Sequence, residues 1–305
     1  MTNPLSAERI LALSGPLPDQ MTIEVVAETG STNADLLALI QKTQETQETQ
    51  EPQTSPTRSP MLLIAEQQTA GRGRAGRSWL SAPSTALMFS LAWRFDLPLQ
   101  KLVGLPLAVG VAVATGLNSF LRQTNVAGDA TETGEIDFGI RLKWPNDLLL
   151  RDGKLGGILI ETANAESNAI GRGSAWAVIG VGINLAIPAE MQKQLDRSVA
   201  NLPGSGPGTE RAICDRNLLM ATILSSLTRV LNQFQQNGLV TFVGPWNRLH
   251  AHAGRPVVIM DQGTVLQEGL ALGIDEIGRF LLQTAQADHP IAIMAGDVSL
   301  RAKET

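Results

Sequence analysis

Apolar positions recur along this chain in two rhythms, and the changes of rhythm divide it. Short, densely apolar runs at residues 23–27, 61–66, 87–93, 140–144, 147–150, 155–161 and 175–183 are bounded by Gly, Pro, Asn or Asp. Their length and bounding residues predict β-strands. Asp152-Gly153, between two of them, is a hairpin-turn signal. Two stretches follow helical spacing instead, 105–122 and 210–236, the second carrying Ile213, Leu218, Leu219, Ile223, Leu227, Val230, Leu231 and Phe234. A shorter helix follows to about residue 250. Thr32 and Asp35 fit a capping pattern, so a helix is expected to start at Ser31-Thr32-Asn33 and run to about Ile40. The first 20 residues hold an amphipathic fragment closed by Pro16 and Pro18. That is too short for a winged helix-turn-helix, which as an independent unit needs on the order of 50 residues. Beyond Gly254, apolar segments at 257–260, 265–272, 280–283 and 291–294 alternate with turns, which predicts a small SH3-like β-barrel.

Two polar stretches interrupt these elements. Residues 43–60 are Thr-Gln-Glu repeats followed by Pro52, Pro56 and Pro60, and residues 125–135 hold few apolar side chains. Neither can bury much apolar area, so both are expected to be mobile surface insertions. The most apolar run, 102–117, is broken by Gly104 and Pro106 and falls short of the roughly 20 residues a membrane span needs. It reads as a buried helix.

Composition narrows the function classes. The 305 residues, 43% of them hydrophobic, suit a good-sized domain plus a small one, expected at 1–251 and 252–305. A net charge of -5 and a pI near 5.3 leave no global basic field for nucleic acid. The single cysteine, Cys214, excludes an internal disulfide and sits in an apolar periodic segment as a small core residue. With three histidines, no Cys/His pattern of metal-ligand type exists. No secretory leader pattern opens the chain, and a soluble, cytoplasmic protein is expected.

The chemistry concentrates in four segments. In Gly71-Arg72-Gly73-Arg74-Ala75-Gly76-Arg77-Ser78-Trp79, glycine permits close backbone approach to a ligand and arginine offers a donor fork for carboxylate or phosphate. Trp79 can stack on a flat ring. An RGG-like segment contacting nucleic acid backbones is the competing reading of this run alone. Lys143-Trp144-Pro145-Asn146-Asp147 ends one strand and opens the next, so its lysine either projects into a cleft or lies on the surface beside a turn. Gly153-Lys154-Leu155-Gly156-Gly157-Ile158-Leu159-Ile160-Glu161 and Gly180-Val181-Gly182-Ile183-Asn184 put glycines inside strands. Such glycines mark close approach of a ligand or backbone, or tight sheet packing. The Asn184 carboxamide could read an adenine edge.

The ordered set STN, GRGRAGRSW, KWPNDLLL, GKLGGILIE, GVGIN and a β-rich tail ending GDVSLR resembles the biotin–protein ligase (biotin–[acetyl-CoA-carboxylase] ligase) family, over about residues 23–301. The resemblance implies an α+β fold: a catalytic domain with a mixed sheet and flanking helices, related to class II aminoacyl-tRNA synthetases and lipoyl ligases, and an SH3-like C-terminal domain. It implies that biotin attacks the α-phosphorus of ATP, with Mg²⁺, to give biotinyl-5′-AMP, and that a lysine of a biotin carboxyl carrier protein then displaces AMP. By the same resemblance, Ser31, Thr32, Asn33, Gln68 and Gly157 belong to the biotin site. Arg72, Gly73 and Arg74 close over biotin and the acyl phosphate, Lys143 reaches the carboxylate and α-phosphate, and Trp79 and Asn184 sit at the adenine. The catalytic charges are then Lys143, Arg72 and Arg74. Both nucleophiles belong to substrates, so the protein's task is positioning and placing positive charge. Arg77 is expected to anchor the loop and Arg301 to form a surface ion pair. Family members with a DNA-binding N-terminal domain act as repressors, and no DNA binding is expected here. A lipoate or octanoate ligase shares the fold but lacks support in the motifs. A non-catalytic biotin sensor would not need the phosphate-directed charges.

Overall fold

The computed structural model describes residues 4–47, 59–130, 136–165, 173–195, 198–204, 214–261, 263–296 and 299–303. Its frame is a seven-stranded sheet. In chain order the strands are β1 (Thr22–Thr29), β2 (Met61–Gln68), β3 (Ala86–Phe95), then, after a two-stranded ribbon of β4 (Asp129–Ala130) and β5 (Ile136–Asp137), β6 (Ile140–Lys143), β7 (Asp147–Leu150), β8 (Gly153–Ala165) and β9 (Ser174–Asn184). They lie in the order β1-β2-β3-β9-β8-β7-β6. Only β1 and β2 run parallel; every other pair is antiparallel, so the sheet is mixed as expected.

Alternation along β3 assigns the two faces. Leu87, Phe89, Leu91, Trp93 and Phe95 point into the main apolar core, which is covered by helices α3 (Leu105–Gln123) and α5 (Arg216–Asn237). α3 is long and apolar enough to cross a membrane by composition, yet most of it is buried within this core. Gly116 lets its backbone close on Ile223 of α5, where an added Cβ would lie 2.7 Å from Cα. On the opposite face, α2 (Thr32–Gln47) covers Ala92, Val178 and Trp176 with Leu36 and Ile40. Further along the same face lie Ser90 and Gly180, met by Thr32 and Asn33 at the start of α2, and then Gly157 and Gly182.

Helix boundaries follow their caps. α1 (Ala7–Leu13) starts at Ser6, whose hydroxyl accepts from the Arg9 amide at 3.3 Å. α5 starts at Asp215, whose carboxylate accepts from the Asn217 and Leu218 amides at 3.0 and 3.3 Å. The helix expected from 210 therefore begins six residues later, and Ile213 lies outside the described residues. α2 continues to Gln47 because Lys42, Gln44 and Glu45 are good helix formers. Residues 48–58 and 131–135 of the two expected insertions lie outside the described residues. The short α4 (Ala189–Gln194) gave no apolar rhythm from which to read it.

After α6 (Val240–Arg248) comes a five-stranded antiparallel sheet of β10 (Pro256–Asp261), β11 (Thr264–Ile274), β12 (Phe280–Gln283), β13 (Ile291–Ile293) and β14 (Ser299–Ala302), ordered β13-β12-β11-β10-β14 and consistent with an SH3-like barrel. Its interior residues Val257, Ile259, Ala271, Phe280 and Leu300 join the same apolar cluster as the large sheet. Trp144 is the joint: it is 1% exposed, its Nε1 donates to the Gly278 carbonyl at 3.2 Å, and its ring centroid lies 5.4 Å from that of Phe280. Leu142 adds two backbone bonds to Leu249 and Ala251.

Candidate functional site

The glycine-rich part of the sheet face forms the floor of an open cleft. Its wall is the start of α2 on one side, the 71–79 segment above, and Asn146, Asp147 and Lys154 on the other. The glycines there serve side chains. A Cβ at Gly182 would lie 2.6 Å from the Trp79 indole, and one at Gly180 would strike the Asn33 carboxamide. Close approach was the expectation for both strands: on β9 the approaching groups are Asn33 and Trp79, and on β8 a Cβ at Gly156 would meet the Gly182 carbonyl at 2.6 Å.

The Gly/Arg segment is a small ordered hairpin. Trp79 N donates to Gly71 O at 2.9 Å, Arg72 and Ser78 form an antiparallel bridge, and Gly73 N donates to Arg77 O at 2.6 Å. The tip is a 3-10 turn, Arg74–Gly76, in which Ala75 (φ 52°) and Gly76 (φ 69°) are both left-handed. From the tip, Arg74 reaches back. Its guanidinium donates to Asn146 Oδ1 at 3.2 Å and to the backbone carbonyl of Gly296, in the segment between β13 and β14. Asn146 is itself fixed by exchanging hydrogen bonds with Ile158, as its Nδ2 donates to Ile158 O at 2.8 Å and its O accepts from Ile158 N at 3.0 Å.

At the α2 end, the Thr32 amide donates to Gln68 Oε1 at 2.9 Å, so a side chain from β2 satisfies the helix terminus. Thr32 and Asp35 do not cap one another. Asp35 accepts from Thr29, and the Thr32 hydroxyl lies 2.6 Å from that of Ser90. Ser90 donates to Asn33 Oδ1 at 2.6 Å, and Asn33 Nδ2 donates to Glu161 at 2.8 Å. Ser31, Thr32 and Asn33 are all under 5% exposed.

Of the residues expected at the site, Ser31, Thr32, Asn33, Gln68, Arg72, Gly73, Arg74, Trp79 and Gly157 all line the cleft, and so does Arg77. Lys143 and Asn184 do not. Lys143 sits on the edge strand β6, where its positive charge is felt by His252 at the barrel junction. Asn184 is 5% exposed and donates to the Lys154 carbonyl at 3.0 Å, a bond that positions the start of β8. The lysine that lines the cleft is Lys154, paired with Asp147. The register explains the exchange. Asp147 is the partner of Lys143 on one side and of Gly157 on the other, so β7 stands between Lys143 and the floor. Lys154 stands inside GKLGG, but its place at the cleft depends on the pairing of β8 with β7, which the motif does not carry. Ser90, Asn146 and Glu161 carried no signal beyond ordinary strand and turn residues. Arg301 is exposed on β14, opposite Val258, and has no ion-pair partner among the described residues.

Comparisons with known proteins agree with this geometry. Residues 36–184 match the biotin/lipoate A/B protein ligase family, and residues 252–301 match the biotin protein ligase C-terminal domain. A biotin–[acetyl-CoA-carboxylase] ligase of Mycobacterium tuberculosis is 32% identical over 277 residues, covering 90% of this chain and 88% of that protein. The bifunctional ligase/repressor BirA of Escherichia coli is 34% identical over 242 residues, and the match spans 79% of this chain but 66% of that longer protein. The biotin protein ligase of Aquifex aeolicus solved with biotin and ATP shares the fold, with a TM-score of 0.60 at 24% identity over 92% of this chain and 99% of that one. By its cleft, its two matched domains and these relatives, the chain belongs to the biotin–protein ligase family.

Proposed function

We propose how this ATP-dependent biotin–protein ligase divides its reaction among its own residues. The polar end of the cleft, Ser31, Thr32, Asn33 and Gln68, takes the ureido ring of biotin. The valeryl chain runs over the glycine-rich floor at Gly157 and Gly180. Its carboxylate then meets Lys154, Arg72 and Arg74, which also face the α-phosphate of ATP. Attack of the carboxylate oxygen on the α-phosphorus expels pyrophosphate and leaves biotinyl-5′-AMP. The lysine amine of a biotin carboxyl carrier protein then attacks the acyl carbon and expels AMP. Trp79 borders the nucleotide end, and its Nε1–H, buried without a partner among the described residues, is a donor available to a ligand. Neither step requires a protein nucleophile, and fixed positive charge at the developing negative charge supplies the acceleration.

No group of three or more Asp, Glu, His or Cys among the described residues could hold a metal. The Mg²⁺ of the reaction would therefore enter on the phosphates of ATP, as is usual for this ion. We place the protein in the cytoplasm, where ATP and carrier protein are at hand.

The observation that carries this reading is the convergence of three arginines and one lysine on a cleft whose far end is uncharged and hydrogen-bonding. ATP–pyrophosphate exchange, measured with biotin, lipoate and octanoate in turn, tests it. Exchange with biotin alone is expected. Exchange with lipoate instead would reassign the acid, and biotin binding without exchange would make the protein a sensor.

A further inference from the structure

Glu161 lies beyond the residues assigned to either substrate, on β8, and its carboxylate makes two contacts: Oε2 accepts from Asn33 Nδ2 at 2.8 Å, and Oε1 lies 4.0 Å from the Arg72 guanidinium. A carboxylate can only accept here, and that constraint propagates. Asn33 must turn its NH₂ toward Glu161, where its nitrogen also lies 3.4 Å from the Leu159 carbonyl. The reversed amide would set an oxygen against two acceptors. With Oδ1 thereby facing inward, the Ser90 proton is committed to Asn33 at 2.6 Å. The 2.6 Å contact between Thr32 and Ser90 then has Thr32 as its donor, because Ser90 has no second proton. Gln68 Oε1 is held by the Thr32 amide at 2.9 Å, with the Thr32 hydroxyl farther away at 3.3 Å. The buried chain thus runs in one direction, Thr32 to Ser90 to Asn33 to Glu161.

We propose that Glu161 is a positioning residue for biotin recognition: by fixing the direction of this hydrogen-bond chain, it leaves the Thr32 hydroxyl as an acceptor toward the cleft, beside the Gln68 amide nitrogen, which the Thr32 backbone N–H turns outward as a donor. An acceptor beside a donor matches one edge of a cyclic urea, which offers an N–H beside a C=O. An alkyl chain or a dithiolane offers neither, so the same device discriminates against octanoate and lipoate. A site that leaves its own buried polar groups unpaired with the wrong ligand rejects it strongly.

This inference rests on the assignment of the ureido ring to the α2 end of the cleft, so wild-type biotin binding is measured alongside. Failure of the wild type to bind biotin would overturn that assignment before any variant is read. Given binding, Glu161→Met removes the acceptor while keeping the length of the side chain. It is expected to raise KM for biotin roughly tenfold or more, the scale of one buried polar group left unsatisfied, while KM for ATP moves less than about twofold. Glu161→Gln still offers an acceptor oxygen to Asn33 and should recover most of that loss. Ser90→Ala cuts the chain between Thr32 and Asn33, so the double variant E161M/S90A should be no worse for biotin than the poorer single variant. Additive losses, an equal rise in KM for ATP, or an unchanged KM for biotin in E161M would each overturn the proposal.

Discussion

At the scale of single residues, charge and space decide the chemistry of the cleft. Lys154 lines it beside Asp147, whereas Lys143 stands one strand farther out. Replacing Lys154 by Gln is expected to lower biotin-dependent ATP–pyrophosphate exchange on the order of 10²- to 10³-fold, the usual cost of removing a preorganised charge partner. Lys143→Gln is the companion test: a loss within about threefold would leave the reacting carboxylate to Lys154, and a comparable loss would place the KWPND lysine there as well. Gly182 tests space in the same way. A methyl group there would sit 2.6 Å from the Trp79 indole, and the strand cannot retreat because it is paired on both sides. Gly182→Ala should therefore unseat Trp79 and raise KM for ATP roughly tenfold, by an overpacking effect of about 1–3 kcal/mol. An unaltered KM would mean that Trp79 has no part in nucleotide binding. Nine expected cleft residues could be read from the chain because ligand chemistry leaves short, unusual strings such as GRGRAGRSW. Lys154, Asn146, Glu161 and Ser90 could not, because their importance arises from which neighbouring strand each one faces. Strand pairing across the sheet is invisible in a single sequence.

At the scale of elements, the Gly/Arg segment is a hairpin held at its base and moored at its tip. Its base bonds, Trp79 to Gly71 and Gly73 to Arg77, are local, whereas Arg74 ties the tip to Asn146 on one domain and to the Gly296 carbonyl on the other. Losing that mooring frees the tip from Asn146 and Gly296 while leaving the base intact. Arg74→Gly is accordingly expected to let biotinyl-5′-AMP escape and label lysines of bulk protein, because lid closure is what keeps a reactive anhydride in place. Nonspecific labelling equal to that of the wild type, measured with serum albumin as bystander, would sink the idea. The same comparison of local and distant order explains which elements were legible. α3 and strands β2, β3, β7 and β9 declare themselves by local apolar rhythm and came out within a few residues of expectation. The start of α5 waits for Asp215, β14 is a four-residue strand paired with β10, and α4 has no buried stripe, so their limits are set by caps and partners rather than by periodicity.

At the scale of the whole molecule, the two domains share one core, and its joint contains a pair of buried histidines. His250 and His252 are 5% and 9% exposed, their ring centroids are 6.2 Å apart, and His250 packs 4.9 Å from Trp246 and 5.6 Å from Phe280. None of their four ring nitrogens has a hydrogen-bond partner among the described residues. Burial therefore holds both rings neutral, lowering each from 6.5 to about 4. For His250 the nearby His252 adds to the effect; for His252 the charges of Lys143 and Arg255 add to it and Asp152 opposes them. A histidine depressed in the fold binds a proton more readily once unfolded. Its contribution to stability is complete above pH 6.5 and is lost as pH falls from 6.5 toward 4. Two such rings place the loss at about 2 kcal/mol each by pH 5, enough to lower the melting temperature by roughly 5–10 °C between pH 7.5 and pH 5 in a chain of this size. Most carboxylates titrate below that window, so the histidines dominate it. The double variant His250→Gln/His252→Gln removes both titrations and should melt at nearly the same temperature across the range. A wild-type melting temperature that stays flat from pH 7.5 to pH 5 would show that the joint accommodates charged imidazoles. A slope that persists in the double variant would move the acid sensitivity elsewhere in the shared core.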